Sequence, residues 1–319
     1  MTESIEARIR RRFHLEVAAG VAAAIEFAPI RALRQARYRS QVDGHRAALP
    51  TLSGASRGVV DDLQCNGVSQ RSLDALGIAG SANMLGQACR LVASEMADFR
   101  SQAAAGSKFV MTRAESMLAN PEIFLFGLQP LLLDIAEAYI GLPVAYDGAT
   151  ILYTAADGQE VSTRDWHRDR EDRRMLKIIV YLNDVDAEGG PFQLLRDVPT
   201  EARARRHLYG LTADERQALK AGAAGAVLDC EGPTGTTLFV DTARHFHRGK
   251  PAVGRDRAAL FFSYFARRPQ RPFFCDRSGL ARADVERMVR HLSARQRDAA
   301  LWHQDLPLHW RLLAPVPVR

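Results

Sequence analysis

Short runs of β-branched and aromatic residues, separated by glycine, proline, asparagine and aspartate, fill the middle of the sequence after Asp147. Runs of this composition are typical of β-strands, and a series of them is typical of a double-sheet jelly roll or a related barrel. The predicted strands are Ala149 to Thr154, Met175 to Leu182, Phe192 to Leu195, Ala226 to Asp229, Thr236 to Val240 and Ala258 to Phe265. We therefore expect a β-sheet core within residues 146–272.

The sequence on either side of this core has the apolar spacing that is typical of helices. The first 145 residues are expected to be mainly helical, with helices from Ile5 to about Arg39, about Asn83 to Gln102 and Pro130 to Ile140. Pro29 predicts a break or kink in the first of them. A helical insertion is predicted over 200–224, where Thr212 and Glu215 have the spacing of a capping box. With C-terminal helices over 273–319, notably Arg282 to Trp302, we predict a single α+β domain spanning residues 1–319.

Charge and cysteine content argue against several classes of protein. The formal net charge of +6 comes mainly from arginine, and the basic residues are scattered along the chain, so no nucleic-acid partner is expected. The four cysteines have neither C-x-x-C nor zinc spacing, which favours a reducing cytoplasm. No segment has the roughly 18 to 20 apolar residues that span a bilayer. The basic, alanine-rich segment Ile9 to Phe27 contains Glu16 and Glu26, so we interpret it as a helix of the mature fold and not as a signal peptide.

The segment DWHRD at 165–169 precedes a predicted buried strand that begins near Leu176. Residues two apart in an extended chain point to the same side, so His167 and Asp169 are expected to face one point. One imidazole and one carboxylate are two-thirds of the two-histidine-one-carboxylate face that binds iron(II) in oxygenases. A second His-x-Asp copy, at 303–305, has no following strand, and we interpret it as polar residues of the surface or of a helix end.

A third ligand is expected after the predicted strand Thr236 to Val240, where a polar turn leads to His245 and His247. Arg257 opens the last predicted strand, ten residues after His247. From there a guanidinium can bind the distal carboxylate of 2-oxoglutarate through two parallel hydrogen bonds. Arg255 is the rival candidate, but beside Gly254 it has the character of a solvated loop residue.

These residues carry a family resemblance. The motifs WHRD (166–169), LK (176–177), YLNDV (181–185), GPF (190–192) and HRG (247–249), followed by Arg257, resemble the phytanoyl-CoA dioxygenase family of iron(II)/2-oxoglutarate oxygenases. Residues 131–143 are similar to the helix and Leu-Pro turn that precede the first core strand of that family. The resemblance covers the chain from about Pro130 to Phe265.

The resemblance implies a double-stranded β-helix (jelly-roll or cupin-like) core that uses iron(II), O2 and 2-oxoglutarate. It implies oxidation of a small molecule, usually hydroxylation, with release of succinate and carbon dioxide. A secondary metabolite or an acyl thioester is an expected substrate. The family pattern also favours His247 over His245, which makes His167, Asp169 and His247 the predicted ligands. Halogenating relatives lack the carboxylate ligand, so the presence of Asp169 argues against halogenation.

Two features depart from the family pattern. Members commonly have Gly-Ser-His soon after the Gly-Pro-Phe strand, whereas this chain has LRDVPT at 195–200. The loop on the substrate side is therefore expected to be specific to this chain. The helical portion before about residue 120 has no recognised counterpart, so substrate assignments do not transfer from the family.

Four further residues are predicted to lie near the ligands. Lys177 interrupts an apolar strand, where it either contacts cosubstrate or substrate or extends to solvent at a strand edge. Tyr153, Trp166 and Gln193 are predicted to line or support the substrate side. Trp166 is more often a packing residue in such a place, and Gln193 can instead satisfy backbone groups.

Two other functions stay open at this level. One is a cupin-like dioxygenase or isomerase that uses a metal without 2-oxoglutarate, and the other is a non-catalytic relative of the family. Arg257 discriminates the first from the oxygenase, because only a 2-oxoglutarate enzyme needs that guanidinium. A small-molecule substrate is the expected partner, no membrane association is expected, and the sequence makes no prediction of the oligomeric state.

Overall fold

The computed structural model describes residues 20–21, 24, 27–107, 110–196, 210–220, 227–275 and 278–312. Most of the predicted helical segment Ile9 to Phe27 and much of the predicted insertion 200–224 lie outside these residues. The helices of the described part are α1 Ala28–His45, α2 Gly54–Asn66, α3 Ser81–Ala104, α4 Ala114–Ala119, α5 Pro121–Phe126, α6 Pro130–Ile140, α7 Ala213–Lys220, α8 Arg282–Val289, α9 Ala294–Ala300 and α10 Leu308–Leu312.

The strands of the described residues form two antiparallel sheets, which confirms the predicted mixture of helices and antiparallel sheet. They are β1 Val68–Ser72, β2 Val110–Met111, β3 Val144–Thr154, β4 Leu176–Tyr181, β5 Phe192–Leu195, β6 Val227–Cys230, β7 Thr236–Asp241, β8 His247–Gly249 and β9 Arg257–Ala266. The large sheet has the order β1-β7-β4-β9-β3-β2, and the small sheet has the order β6-β5-β8. All six predicted strands are present.

Alternation along β4 shows how the two faces of the large sheet are used. Leu176, Ile178 and Val180 pack with the helices, whereas Ile179 and Tyr181 pack with residues of the small sheet. All six residues of β4 are buried, because helices cover one face of the sheet and the small sheet covers the other. Each large apolar side chain buried in this way stabilises the fold by about 1.5 to 3 kcal/mol.

Helix α6 leads directly into the core strands. Its residues coincide with the predicted helix Pro130 to Ile140, and Pro130 occupies the first turn, where a missing backbone N–H is tolerated. Gly141 ends the helix with φ of 83°, a conformation that costs glycine little. The tight ending places β3 immediately after the helix.

The N-terminal portion contributes strands as well as helices, which the sequence did not predict. β1 pairs with β7 and β2 pairs with β3, so the two strands form the edges of the large sheet. β1 is rich in polar residues, as is common for edge strands, and β2 has only two residues, so neither has a strong apolar pattern. The predicted break near Pro29 is present, since residues 20, 21 and 24 are helical, Phe27 is not, and α1 begins at Ala28 with Pro29 in its first turn. α1 continues to His45, beyond the predicted end near Arg39.

Two helical predictions outside this portion have different outcomes. The predicted helix Arg282 to Trp302 is interrupted, and a capping box between Ser293 and Gln296 starts α9. The capping box before α7 is confirmed, since the Glu215 backbone N–H donates to Thr212 Oγ1 and the Glu215 carboxylate accepts from the Thr212 N–H. Among the described residues, no helix combines the length and apolar character needed to cross a membrane.

Candidate metal centre

His167 and Asp169 lie in an extended segment between β3 and β4 that pairs with the turn after β7 and with the first residue of β8. His167 and His247 exchange backbone hydrogen bonds of 3.0 and 2.9 Å, and the Asp169 N–H donates to the Thr242 carbonyl at 2.9 Å. These bonds link the turn after β7 to the His-x-Asp segment. Backbone pairing therefore brings a histidine from late in the chain next to the other two side chains.

The side chains of His167, Asp169 and His247 converge. One potential ligand atom from each lies within 4.8 Å of the other two, and each residue is only 4% exposed. Two imidazoles and one carboxylate at this separation fit a divalent transition metal, and a centre with three protein ligands has coordination positions open to other molecules.

Hydrogen bonds to the backbone orient both imidazoles. His167 Nδ1 lies 2.8 Å from the Asp165 carbonyl oxygen, and His247 Nδ1 lies 3.1 Å from the His245 carbonyl oxygen. With Nδ1–H donating to these carbonyls, each Nε2 carries the lone pair that a metal requires. Burial and the neighbouring His167 hold the pKa of His247 well below its usual range, which favours the neutral, ligating form.

Lys177 lies beside the carboxylate of this centre. Its Nζ is 2.5 Å from Asp169 Oδ2, and the lysine is 8% exposed. The alternative that Lys177 extends to solvent at a strand edge is wrong, because β4 lies between β7 and β9 in the large sheet. The ammonium is buried and is compensated by an ion pair.

A cavity of about 290 Å³ opens between the two sheets, and His167 and His247 form part of its wall. The charged and aromatic residues that line it include Tyr153, Asp157, Arg164, Arg170, Glu171, Lys177, Tyr181, Phe192, Arg257 and Phe274. The centre therefore borders a space that can admit small molecules.

Arg257 projects into this cavity from the start of β9. Its Nη1 contacts the Gly190 carbonyl oxygen, and its Nη2 lies 3.2 Å from Thr154 Oγ1. Burial lowers its pKa, because a charged guanidinium is poorly solvated there. The guanidinium also occupies the space that a Cβ at Gly249 would need. Arg255 is instead exposed and forms an ion pair with Asp186 at 3.2 Å.

Of the three residues predicted around the substrate, Tyr153 lines the cavity, whereas Trp166 and Gln193 do not. Gln193 alternates with the inward-facing Phe192, and it hydrogen-bonds to Asp229 and Arg248 on the other face of β5. Trp166 packs in a separate apolar cluster with Leu195, Leu211 and Phe246.

The competing histidines lie elsewhere. The imidazole of His245 contacts Gly67, where the chain turns from α2 into β1. His303 stacks on Trp302 with ring centroids 3.6 Å apart, in a 3-10 turn near the C-terminus. Within the described part of the chain, neither joins a cluster of metal-ligating residues.

Several residues of this region were not identified from the sequence. The ring of Phe192 stacks on His247 at 5.5 Å between centroids, and the buried Arg164 forms an ion pair with the exposed Asp157. Arg170 immediately follows Asp169 and stacks over Phe274 at 4.7 Å. Arg164 and Arg170 lie close to the His-x-Asp motif in the sequence, and this position was the available signal that they belong to the site. The contact between Phe192 and His247 had no such signal, because it depends on the pairing of β5 with β8.

Comparison with known proteins gives structural similarities but no family. No family model matches the sequence, and no curated protein matches it. Similar solved structures include EctD from S. alaskensis in its apoform, 19% identical, covering 70% of this chain and 83% of that chain with a TM-score of 0.49.

Two further structures are similar to a comparable extent. AviO1 from Streptomyces viridochromogenes Tue57 is 17% identical, covering 67% of this chain and 96% of its own with a TM-score of 0.44. The non-heme alpha-ketoglutarate-dependent epimerase SnoN from nogalamycin biosynthesis is 13% identical, covering 66% and 83% with a TM-score of 0.41. At these identities and TM-scores the similarities do not identify the family of this chain.

Proposed function

We propose that this chain is an iron(II)- and 2-oxoglutarate-dependent oxygenase that oxidises a small molecule, by hydroxylation as the default reaction. The observation that carries the proposal is the convergence of His167, Asp169 and His247 on the wall of a cavity that also contains the buried Arg257. A two-histidine-one-carboxylate face with open positions is the site that non-heme iron(II) oxygenases use.

The three donors suit iron(II). Each imidazole is held through Nδ1, so that Nε2 is available, and the Asp169 carboxylate completes the face. Catalytic zinc centres also use three protein ligands, so the donor set alone does not select the metal. The second feature of the cavity, Arg257, favours the oxygenase.

Arg257 supports 2-oxoglutarate as the cosubstrate. None of the described residues forms an ion pair with it, although the residue is 8% exposed and carries a guanidinium. Buried charges normally have a counter-ion, and the distal carboxylate of 2-oxoglutarate fits a guanidinium through two parallel hydrogen bonds. Thr154 Oγ1, which lies against Arg257, offers one more polar contact.

The strand order supports the finer fold and family proposal. β3, β9, β4 and β7 are adjacent in one sheet, and β6, β5 and β8 form the facing sheet, which the bridge between His167 and His247 extends. We interpret this order as a double-stranded β-helix within one domain over residues 1–319. Together with the WHRD and GPF motifs, it supports membership of the phytanoyl-CoA dioxygenase family.

The residues of the chain have distinct roles in this reaction. Iron held at this site would supply the activation of O2, with one oxygen atom passing to the substrate and the other to 2-oxoglutarate, which would leave as succinate and carbon dioxide. His167, Asp169 and His247 hold the metal, and Arg257 orients the cosubstrate. The surrounding cavity positions the substrate, because geometry determines which bond is attacked.

Two measurements test the proposal. Anaerobic addition of iron(II) and 2-oxoglutarate should give a charge-transfer absorption band, and succinate release in air should increase with suitable members of a substrate panel. Asp169→Ala should lose both signals. A wild-type protein that binds the metal but shows neither band nor succinate is a cupin-like enzyme of another kind, and one that binds no metal is a non-catalytic relative.

A further inference from the structure

Lys177 is an unusual residue for the centre of a sheet. It lies on β4, between β7 and β9, and its side chain lines the cavity. An ammonium group is costly to bury, so its position requires a compensating negative charge. The identity of that charge determines what Lys177 can bind.

Asp169 supplies this charge in the described structure. The Lys177 ammonium lies 2.5 Å from Asp169 Oδ2, and it forms no ion pair with any other described residue. The two acids that line the cavity have other contacts. Asp157 pairs with Arg164, and the Glu171 carboxylate accepts a hydrogen bond of 2.7 Å from the Arg170 backbone N–H. The counter-ion of the Lys177 ammonium is therefore the same carboxylate that we assign as a metal ligand.

The consequence rests on the proposed function. A carboxylate that ligates a divalent cation has its charge largely neutralised, so the Lys177 ammonium then lacks a full counter-ion in a buried place. A second anion close to the metal would again give the Lys177 ammonium a full counter-charge. We infer that the substrate carries a carboxylate and that Lys177 binds it beside the metal.

The register of the strands separates this anion from the cosubstrate. Lys177 lies directly across from Ser263 on β9, and Arg257 is six residues from Ser263, roughly 20 Å along the strand. The Arg257 guanidinium lies against Gly249, close to His247. A 2-oxoglutarate molecule that extends from Arg257 to the metal occupies that half of the cavity, which leaves the Lys177 half for the substrate.

The Lys177 half has the chemistry to hold a carboxylate. Ser263, the cross-strand neighbour of Lys177, lines the cavity and brings a hydroxyl group, and the ring of Phe274 also lines it. One ammonium and one hydroxyl suit a single carboxylate. Because Lys177 contacts a metal ligand directly, the carbon that is oxidised is expected to lie within a few bonds of the carboxylate.

The test uses probe acids and their uncharged counterparts. The anaerobic protein, loaded with iron(II) and 2-oxoglutarate, is titrated in a calorimeter with 3-phenylpropanoate and octanoate and with the corresponding primary amides. Each acid is expected to bind about tenfold or more tightly than its amide, since a charge-assisted hydrogen bond is lost in the amide. Lys177→Met should abolish this preference, and Lys177→Arg should retain it.

Lys250→Met is the matched control, since Lys250 does not line the cavity and the variant should keep the preference. Melting curves and the affinity for 2-oxoglutarate distinguish a lost anion site from a lost fold. In Lys177→Met this affinity is expected to stay within about threefold of the wild-type value.

Equal binding of acids and amides by the wild type, or no binding of either, overturns the inference. So does a Lys177→Met protein that loses 2-oxoglutarate affinity but keeps the acid preference. Failure of the proposed function is separate, since it appears as a missing charge-transfer band in the wild type before any acid is added.

Discussion

His167 and His247 exchange two backbone hydrogen bonds, and their imidazole rings lie 4.3 Å apart between centroids. The two residues come from segments on either side of β4 to β7 in the sequence, so their contact depends on the pairing of distant strands. Asp169 is joined to the same turn through Thr242. The centre is therefore held by the backbone as well as by packing, and substitutions can separate the two contributions.

Asp169→Asn is expected to lower the affinity for iron(II) or manganese(II) by more than about a hundredfold, since even the loss of residues around a metal ligand costs up to that amount. Calorimetric titration of the metal measures the effect. Asp305→Asn is the matched control, because the second His-x-Asp copy lies in a 3-10 turn outside the cluster and should leave the affinity unchanged. Similar losses in both variants would contradict the assignment.

Arg257→Met is expected to weaken 2-oxoglutarate binding by about ten- to a hundredfold, through the loss of charge-assisted hydrogen bonds. The metal affinity should not change, since Arg257 is not among the converging ligands. The charge-transfer band, titrated with 2-oxoglutarate, reports the dissociation constant. Arg255→Met removes an exposed arginine nearby and serves as the control. A normal dissociation constant in Arg257→Met would remove the case for 2-oxoglutarate.

Gly249→Ala tests the close approach of β8 to the guanidinium. A Cβ at position 249 would overlap the Arg257 side chain, which must then move. We expect 2-oxoglutarate to bind about tenfold more weakly, with metal binding retained. Gly58→Ala, where the added Cβ meets only an ordinary contact with Arg71, should leave both constants unchanged. Unaltered 2-oxoglutarate binding in Gly249→Ala would show that Arg257 does not need this space.

Asp241→Asn is expected to reduce metal affinity about tenfold without touching a ligand. The fully buried Asp241 carboxylate accepts hydrogen bonds from the backbone N–H groups of Ala243 and Arg244, each at 3.1 Å, and from Tyr139 Oη at 2.5 Å. These bonds fix the turn that presents Thr242 to Asp169. Metal titration beside a melting curve measures the effect.

The control for this prediction is Tyr139→Phe, which removes the contact to α6 but keeps the bonds within the turn. Its metal affinity should fall less than that of Asp241→Asn. If both variants lower only the melting temperature, Asp241 supports the fold and does not position the centre.

His303 makes the fold sensitive to acid. Burial lowers its pKa to about 3, from a usual value of 6.5, so the folded state binds this proton less readily than the unfolded state. Its neutral form contributes stability at neutral pH, and this contribution is lost as the pH falls from 6.5 towards 3. His303→Gln should therefore show a shallower decrease in the free energy of unfolding between pH 7 and pH 4. Urea titrations measure it, and an identical slope in both proteins would rule out a role for His303.

Local patterns in the sequence determined most of the elements. Phe192 to Leu195 and Pro130 to Ile140 coincide with β5 and α6, since strands and helices impose different apolar periods. The two-residue alternation of side chains in an extended chain predicted that His167 and Asp169 face the same side. It also predicts that neighbours face opposite ways, and by this rule Gln193 lies opposite the inward-facing Phe192.

Only the tertiary structure decided which distant residues meet. Apolar periodicity does not distinguish His245 from His247, and the pairing of His167 with His247 directs one imidazole into the centre while the other contacts Gly67. The ion pair between Lys177 and Asp169 likewise follows from strand order, because β4 became an interior strand. Short-range patterns determine how a residue is oriented on its own element, whereas contacts between elements depend on how all of the buried faces pack together.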